Sequence, residues 1–197
     1  MTRTCAALIA LCSVLSACGT IPPAPIDRYY RLEPTPVAFP AKVLPGRIAL
    51  QTLRADGLYA ERPVVFSEEA NLHQLRQYRY HLWLYEPSQM VQDHLIASLG
   101  GALDLVAGSK AKWRLDGRIL RFERVLGGRN GMAAATLELS LSTGGKTVLV
   151  KTYRADRAAE DDSFPAFVVA MERALASIYT EFLRDLDAAG LAAPKQG

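Results

Sequence analysis

Three histidines, His73, His81 and His94, are the residues of this 197-residue chain best suited to acid–base or metal chemistry. They fall on an expected loop, strand and helix, and none forms an HExxH pair or another ligand spacing. The chain also lacks a GxSxG nucleophile elbow, a Walker A loop and a GxGxxG motif. We therefore predict no catalytic residue, no metal site and no cofactor, and energy for any transport would come from another subunit.

Cys18 is the thiol best placed for covalent modification, because it directly follows a leader-like segment at residues 1–17. That segment contains the cation Arg3 and an apolar stretch at 6–15, and it leads into the sequence LSAC at 15–18. This ending resembles the bacterial lipobox, in which a cysteine thiol takes a diacylglyceryl group before cleavage. We predict a lipoprotein signal peptide at 1–17 and an acylated Cys18. An ordinary secretory signal or a buried apolar helix is the alternative.

Removal of residues 1–17 decides what the cysteines can do. Cys5 and Cys12 leave with the signal and Cys18 becomes a thioether, so no thiol remains for a disulfide, a metal site or a nucleophile. Arg3 leaves as well, so 22 of the 23 Lys and Arg side chains remain against 20 Asp and Glu. This near balance argues against a nucleic-acid partner, which requires clustered cations.

The expected acyl chains anchor the protein to a membrane. Each buried methylene contributes about 0.8 kcal/mol, so several chains hold a protein stably without crossing the bilayer. No apolar run of about 18 residues follows the leader, so we do not expect the body of the protein to span a membrane. Gly19 stands where enteric bacteria use Asp to retain lipoproteins at the inner membrane. This favours an outer-membrane anchor with the domain facing the periplasm.

The mature chain divides by composition. Residues 18–46 hold seven of the eleven prolines, which predicts a tether after the lipidated cysteine, with a short edge strand near Tyr29–Leu32. Residues 47–186 have the patterning of a packed domain, and 187–197 are expected to form a flexible tail.

Hydrophobic periodicity predicts the elements of that domain. Strands are expected at 47–54, 64–66, 78–85, 103–106, 113–124 with a bulge at Gly117, 135–142 and 146–154. Helices are expected from Pro87 to Leu99, and from Phe164 to Leu186 after a cap at Asp161–Ser163. The first helix should join a parallel pair of strands and the later hairpins should be antiparallel. The fold class is α/β: one domain, with a mixed β-sheet and two main amphipathic helices packed on it.

The aromatic stretch 78–85 is a candidate partner surface, because Tyr and Trp are enriched at interfaces. Strand alternation places Tyr78, Tyr80, Leu82 and Leu84 on one face, and His81, Trp83 and Tyr85 on the other. Helices on one side of the sheet would bury the first set and expose the second. Burial of Trp83 beneath a helix or loop is the alternative.

Arginines supply further candidates. Arg62 could bind a partner carboxylate or a lipid phosphate, and the alternative is that Pro63 fixes the start of a strand beside a solvated Arg62. Alternation places Arg118 and Arg124 on one strand face and Arg121 on the other, so no single cationic patch follows. A solvated strand with salt bridges is the expected arrangement.

Three stretches of the chain after Cys18 carry motifs whose order and spacing can be compared with those of a known family. They are Tyr30–Leu32, the block LYAERPVV at 58–65, and the segment 80–99, which runs from Tyr-His-Leu-Trp through Pro87 into a helix. Together with 115–120 and the terminal helix, they resemble the ABC-type transport auxiliary lipoprotein family, whose members include paraquat-inducible protein C. The resemblance covers nearly the whole mature chain. It departs at 84–87, where Leu-Tyr-Glu-Pro stands in place of the family's frequent Ala-Glu-Pro.

The resemblance implies a non-enzymatic docking or tethering component of a lipid transport system. Its partners would be a mammalian-cell-entry (MCE) domain protein and, through it, an ABC permease and ATPase, and its fold would be similar to anticodon-binding-domain-like folds. The partner-binding candidates are Tyr59, Arg62, Pro63, His81, Trp83 and Tyr85. An outer-membrane assembly lipoprotein for a β-barrel or glycolipid, and a cell-wall hydrolase or other lipoprotein enzyme, are the alternatives. Homo-oligomerisation is left open.

Overall fold

The computed structural model describes residues 24–39, 43–108 and 110–191, so the predicted signal peptide, Cys18 and the end of the predicted tail lie outside it. Within these ranges the strands are β1 Arg28–Tyr30, β2 Arg47–Leu50, β3 Arg54–Ala55, β4 Pro63–Glu68, β5 Asn71–Trp83, β6 Asp104–Ala107, β7 Trp113–Leu126, β8 Met132–Thr143 and β9 Lys146–Ala158. The helices are α1 Pro87–Leu99 and α2 Phe164–Ala188, with a short 3-10 helix at Gly57–Ala60.

Strand β7 organises the sheet, because it pairs with other strands along both of its edges. One edge pairs antiparallel with β8, which in turn pairs antiparallel with β9. The other edge pairs in parallel with β2, β3 and β4 in succession, and β5 and β1 extend the sheet beyond β4. The predicted α/β fold with one mixed sheet is therefore confirmed.

The two helices form one core with the sheet. Strand β8 alternates as expected, with Ala135, Leu137, Leu139 and Leu141 fully buried. The apolar stripe of α2 covers them, and Ser163 caps this helix by accepting a hydrogen bond from the Ala166 N–H at 3.2 Å. None of the helices in the described ranges has the length and apolar character to cross a bilayer.

The expected bulge at Gly117 is wrong. Gly117 is in register with Leu139, and the bulge lies at Leu120, where the register shifts between Ile119 and Arg121. Gly117 instead serves close packing, because a Cβ there would lie 3.0 Å from Leu53 Cγ. A glycine in a strand therefore marked a packing contact and not a bulge.

The crossover and the length of β5 also differ from expectation. Strands β5 and β6, on either side of α1, are neither paired nor parallel; the parallel partners are β1 with β5 and β2 with β6. Helix α1 therefore connects two strands that lie far apart in the sheet, and it does not join a parallel pair of neighbouring strands. Strand β5 begins at Asn71, so His73 lies in an exposed strand and not in a loop. Helix α2 continues to Ala188, two residues into the predicted tail.

Candidate docking surface

The corner of the sheet where β1 meets β5 collects most of the candidate partner-binding residues. Strand β1 follows the predicted tether and pairs in parallel with the end of β5, with Tyr29 opposite Leu82 and Tyr30 opposite Trp83. The Leu84 N–H then donates to the Tyr30 carbonyl at 2.7 Å, which turns the chain toward α1. The chain after the tether thus becomes the edge of the sheet.

Arg62 is held in place at this corner although its side chain is exposed. Its Nε donates to the Trp83 carbonyl at 3.1 Å, and the Trp83 N–H donates to the Arg62 carbonyl at 2.7 Å. The guanidinium carbon lies 5.2 Å from the centroid of the Tyr29 ring, a cation–π distance. Arg62 is therefore an ordered cation against an exposed aromatic ring, not the freely solvated side chain of the alternative interpretation.

Trp83 and Pro63 lie beneath this surface. Trp83 is 1% exposed and its ring lies 5.1 Å from Phe122 and 5.9 Å from Phe167, centroid to centroid, so it belongs to the core. Pro63 is half-buried and begins β4, where a missing N–H is tolerated. Neither side chain is free to meet a partner in this structure.

Four exposed side chains remain at the corner, and we call them the β1 corner: Tyr29, Arg62, Leu84 and Tyr85. Tyr29 is 51% exposed and Tyr85 52%, both high for aromatic residues. Leu84 and Tyr85 also form one side of a groove of about 430 Å³ between residues 31–34 and α1. Tyr and Arg side chains of this kind dominate the binding energy of protein interfaces.

His94 forms part of the floor of that groove. It is 2% exposed, its Nδ1 lies 3.3 Å from the Tyr179 hydroxyl, and its Nε2 has no hydrogen-bond partner among the residues that the structure describes. Burial lowers the pKa of His94 to about 4. The nearby Glu33 backbone acts in the opposite direction, but its effect on this pKa is smaller. His94 is therefore neutral at physiological pH.

His81 lies behind the β1 corner in an aromatic cluster. Its Nδ1 is hydrogen-bonded to the Tyr30 hydroxyl at 2.8 Å, and its ring stacks on Phe164. Burial lowers the pKa of His81, and the nearby cations Arg28 and Arg124 lower it further. These contacts give His81 a packing role in this structure.

A bulge explains why the face assignment in β5 is wrong. Pro63 pairs with Leu82 and Val65 with Gln77, so Val64 alone opposes four residues of β5, Tyr78–His81. This irregularity brings Tyr78 and His81 to the same side of the strand, where their ring centroids lie 5.4 Å apart and both rings contact Phe164. Strict alternation had placed them on opposite faces.

Tyr59 belongs to a buried polar network that the sequence analysis missed. Its hydroxyl donates to Glu123 Oε2 at 2.5 Å, while Ser67 Oγ and Arg121 Nε donate to Glu123 Oε1, both at 2.9 Å. Burial and the Glu123 hydrogen bond raise the pKa of Tyr59. Glu123 is 1% exposed, yet it stands in the charged stretch Arg121–Arg124, so its residue type and neighbours contained no local signal of burial.

The arginines of β7 are also distributed differently from expectation. Because of the bulge at Leu120, Arg118 and Arg121 share the face opposite α2, where Arg118 pairs with Asp56 and Arg121 with Glu123. Arg124 is on the α2 side, 4% exposed, with its guanidinium carbon 5.0 Å from the Phe164 centroid. The expected salt bridges are present, and in the described part of the chain no three acidic, histidine or cysteine side chains are arranged to hold a metal ion.

Comparisons with known proteins give a family and a fold. The model of a family described as "ABC-type transport auxiliary lipoprotein component" matches residues 30–182. A crystal structure of a Xanthomonas campestris protein of the DUF330 family is similar with a TM-score of 0.72 and 17% identity, covering 83% of this chain and 96% of that one.

A second solved structure, of an uncharacterized protein, has a TM-score of 0.67 and 14% identity, covering 82% of this chain and 99% of its own. At these identities the likeness shows the fold alone. None of the curated proteins matches this sequence.

Proposed function

The chain belongs to the ABC-type transport auxiliary lipoprotein family, and on this premise we propose that it is the membrane-anchored docking component of an MCE-linked lipid transport system. It is acylated at Cys18, faces the periplasm from the outer membrane, and binds an MCE-domain protein. An ABC permease and ATPase at the inner membrane supply the energy. The chain itself performs no catalytic step.

Anchoring makes a modest interface sufficient for this role. A protein confined to a membrane meets a membrane-linked partner at a high effective concentration, so overall binding exceeds the affinity of the contact itself. The tether that follows Cys18 leads directly into β1, the edge strand of the β1 corner. The proposed docking surface is thereby held close to the anchor.

The exposed β1 corner is the observation that carries the docking proposal. Tyr29 and Tyr85 combine apolar area with a hydroxyl, and Arg62 is ordered by its hydrogen bond to Trp83 before any partner arrives. An ordered side chain loses less entropy on binding than a mobile one, which favours affinity. Leu84 adds apolar surface beside the groove.

A pull-down with the tagged mature chain tests the proposal. We expect the wild type to retain an MCE-domain protein, and Tyr85→Ala and Arg62→Ala each to reduce retention about tenfold or more, as interface hot spots do. Arg129→Ala is the matched control, because Arg129 is exposed at the turn between β7 and β8. Retention of a β-barrel protein in place of an MCE protein would instead identify an assembly lipoprotein.

Acylation and catalysis are tested separately. Labelled palmitate should enter the wild-type chain and should not enter Cys18→Ser; equal labelling of both would contradict the anchor. Turnover of cell-wall material that a point mutation abolishes would contradict a purely docking role.

A further inference from the structure

The tip of the β4–β5 hairpin exposes two leucines that no described element covers. Glu68 pairs with Asn71 across the turn, and Phe66 pairs with Arg76, so the single residue Ser67 opposes four residues of β5, Leu72–Leu75. These four residues are exposed, Leu72 to 49% and Leu75 to 36%. Two large apolar side chains left exposed three residues apart at a hairpin tip make this tip a candidate contact surface.

The direction of β1 places this tip on the anchor side of the domain. Because β1 is parallel to β5 and Arg28 is opposite His81, the chain before Arg28 approaches from the side of the hairpin tip. The exposed Ile26 lies on this approach. The hairpin tip and the chain that leads to Cys18 therefore extend toward the same end of the molecule.

The length of the tether matches this arrangement. Glu68, at the tip, lies five residues beyond Pro63 along β4. This corresponds to a distance of about 17 Å at 3.3 Å per residue. Nine residues lie between Cys18 and Arg28, and the ten Cα-to-Cα steps from one to the other reach at most about 35 Å. An acylated Cys18 can therefore lie in the same plane as the tip, with the lipid surface directly beneath it.

We propose that the hairpin tip rests on the bilayer that holds the anchor, with Leu72 and Leu75 inserted among the lipid headgroups. This inference rests on the acylation of Cys18 given in the proposed function. The acyl chains supply the affinity, and the two leucines fix the orientation of the domain, because insertion of apolar side chains becomes nearly free of translational cost once the protein is tethered.

The charges at the tip favour a lipid surface without a requirement for anionic lipid. Glu68 forms a salt bridge with Arg76 at 3.1 Å, and both side chains are about half exposed. The neighbouring Glu69 is also exposed, so the tip carries no excess of cations that would attract anionic lipid. Apolar contact, and not electrostatic attraction, is therefore the source of the interaction.

A fluorescent probe at the tip provides the test. The mature chain that starts at Cys18 has no other cysteine, so Leu72→Cys introduces one free thiol for an environment-sensitive label. Leu75→Cys is the second tip variant. Val150→Cys is the control, because Val150 is 60% exposed on β9 at the opposite edge of the sheet. Each acylated chain is reconstituted into phosphatidylcholine vesicles with or without brominated lipid.

We expect both tip probes to shift to the blue and to lose about half of their fluorescence to brominated lipid, as interfacial insertion of about 5–10 Å requires. Addition of phosphatidylglycerol should leave these signals unchanged, and the Val150 probe should be unaffected throughout. Chains that float with vesicles while both tip probes remain unquenched would overturn this inference and leave the anchor intact. Failure of the acylated chain to float would overturn the anchor and this inference together.

Discussion

The imidazole of His81 lies flat against the ring of Phe164, with centroids 3.6 Å apart and planes inclined by 7°. Phe164 also stacks on Tyr30 at 5.1 Å and meets the edge of Tyr78 at 4.8 Å. These contacts join β1, β5 and the first turn of α2. The strand that follows the tether is thereby fastened to the core through one half-buried aromatic cluster.

Phe164→Ala should loosen that fastening. We expect the free energy of unfolding to fall by about 2 kcal/mol, less than for a fully buried phenylalanine because Phe164 is partly exposed. Water reaching His81 should also raise its pKa toward the ordinary value, since burial is the main cause of the lowering. Urea denaturation and an NMR titration of His81 measure the two effects.

Val169→Ala on the same helix is the matched control, because Val169 is 40% exposed and its loss should change stability by less than about 0.5 kcal/mol. An unchanged His81 pKa in Phe164→Ala would mean that Phe164 does not shield the imidazole.

We also expect the folded state to lose stability when one hydrogen bond of the Glu123 network is removed. Tyr59→Phe removes a hydroxyl that donates to a buried carboxylate, so we expect unfolding to require about 1.5–3 kcal/mol less. Tyr85→Phe removes the hydroxyl of an exposed tyrosine and should be neutral. Chemical denaturation of both variants gives the comparison, and equal stability of the two would contradict a stabilising role for the Tyr59 hydrogen bond.

The order and type of the elements could be predicted from sequence because each follows from local periodicity. The stripe of α2 and the alternation of β8 are visible in the sequence itself, and the Ser163 cap follows from residue type. Bulges do not have such a local signal. One bulge at Leu120 placed Arg121 on the face of Arg118 and moved Arg124 to the other face, contrary to the expected alternation. The irregularity at Tyr78–His81 likewise brought Tyr78 and His81 to one side of β5.

The candidate surface was only partly predictable for the same reason. The sequence identified Arg62 and Tyr85 as candidates, and both are exposed. Trp83 was equally compatible with core and surface, because its burial depends on Phe122 and Phe167, which are distant in sequence. Glu123 acquires its three hydrogen-bond donors from three separate elements, so no local pattern predicts the network.

Gly131 is required by the turn that joins β7 to β8. Its φ is +71°, and a Cβ would lie 2.8 Å from the Val125 carbonyl oxygen, a backbone atom that cannot rotate away. Gly131→Ala should therefore cost about 2 kcal/mol from strain and overlap together. Gly101→Ala is the matched control, because nothing lies within 4 Å of its Cβ position. Thermal unfolding of both variants tests this, and equal midpoints would contradict it.

Because His94 is buried and neutral, we expect the free energy of unfolding to decrease as the pH falls from neutral. Its folded pKa of about 4 is below the ordinary value of 6.5, so the unfolded chain binds a proton first. The contribution is complete above about pH 6.5 and is lost progressively as the pH falls to about 4, amounting to about 3 kcal/mol. The lowered pKa of His81 adds in the same direction.

Urea unfolding in steps from pH 7 to pH 5 measures the slope before the carboxylates begin to titrate. His94→Leu should flatten it, whatever the change in absolute stability from loss of the Tyr179 contact. Val169→Ala, which removes no titratable group, should retain the wild-type slope. If His94→Leu keeps the wild-type slope, the neutral buried imidazole is not the source of the pH dependence.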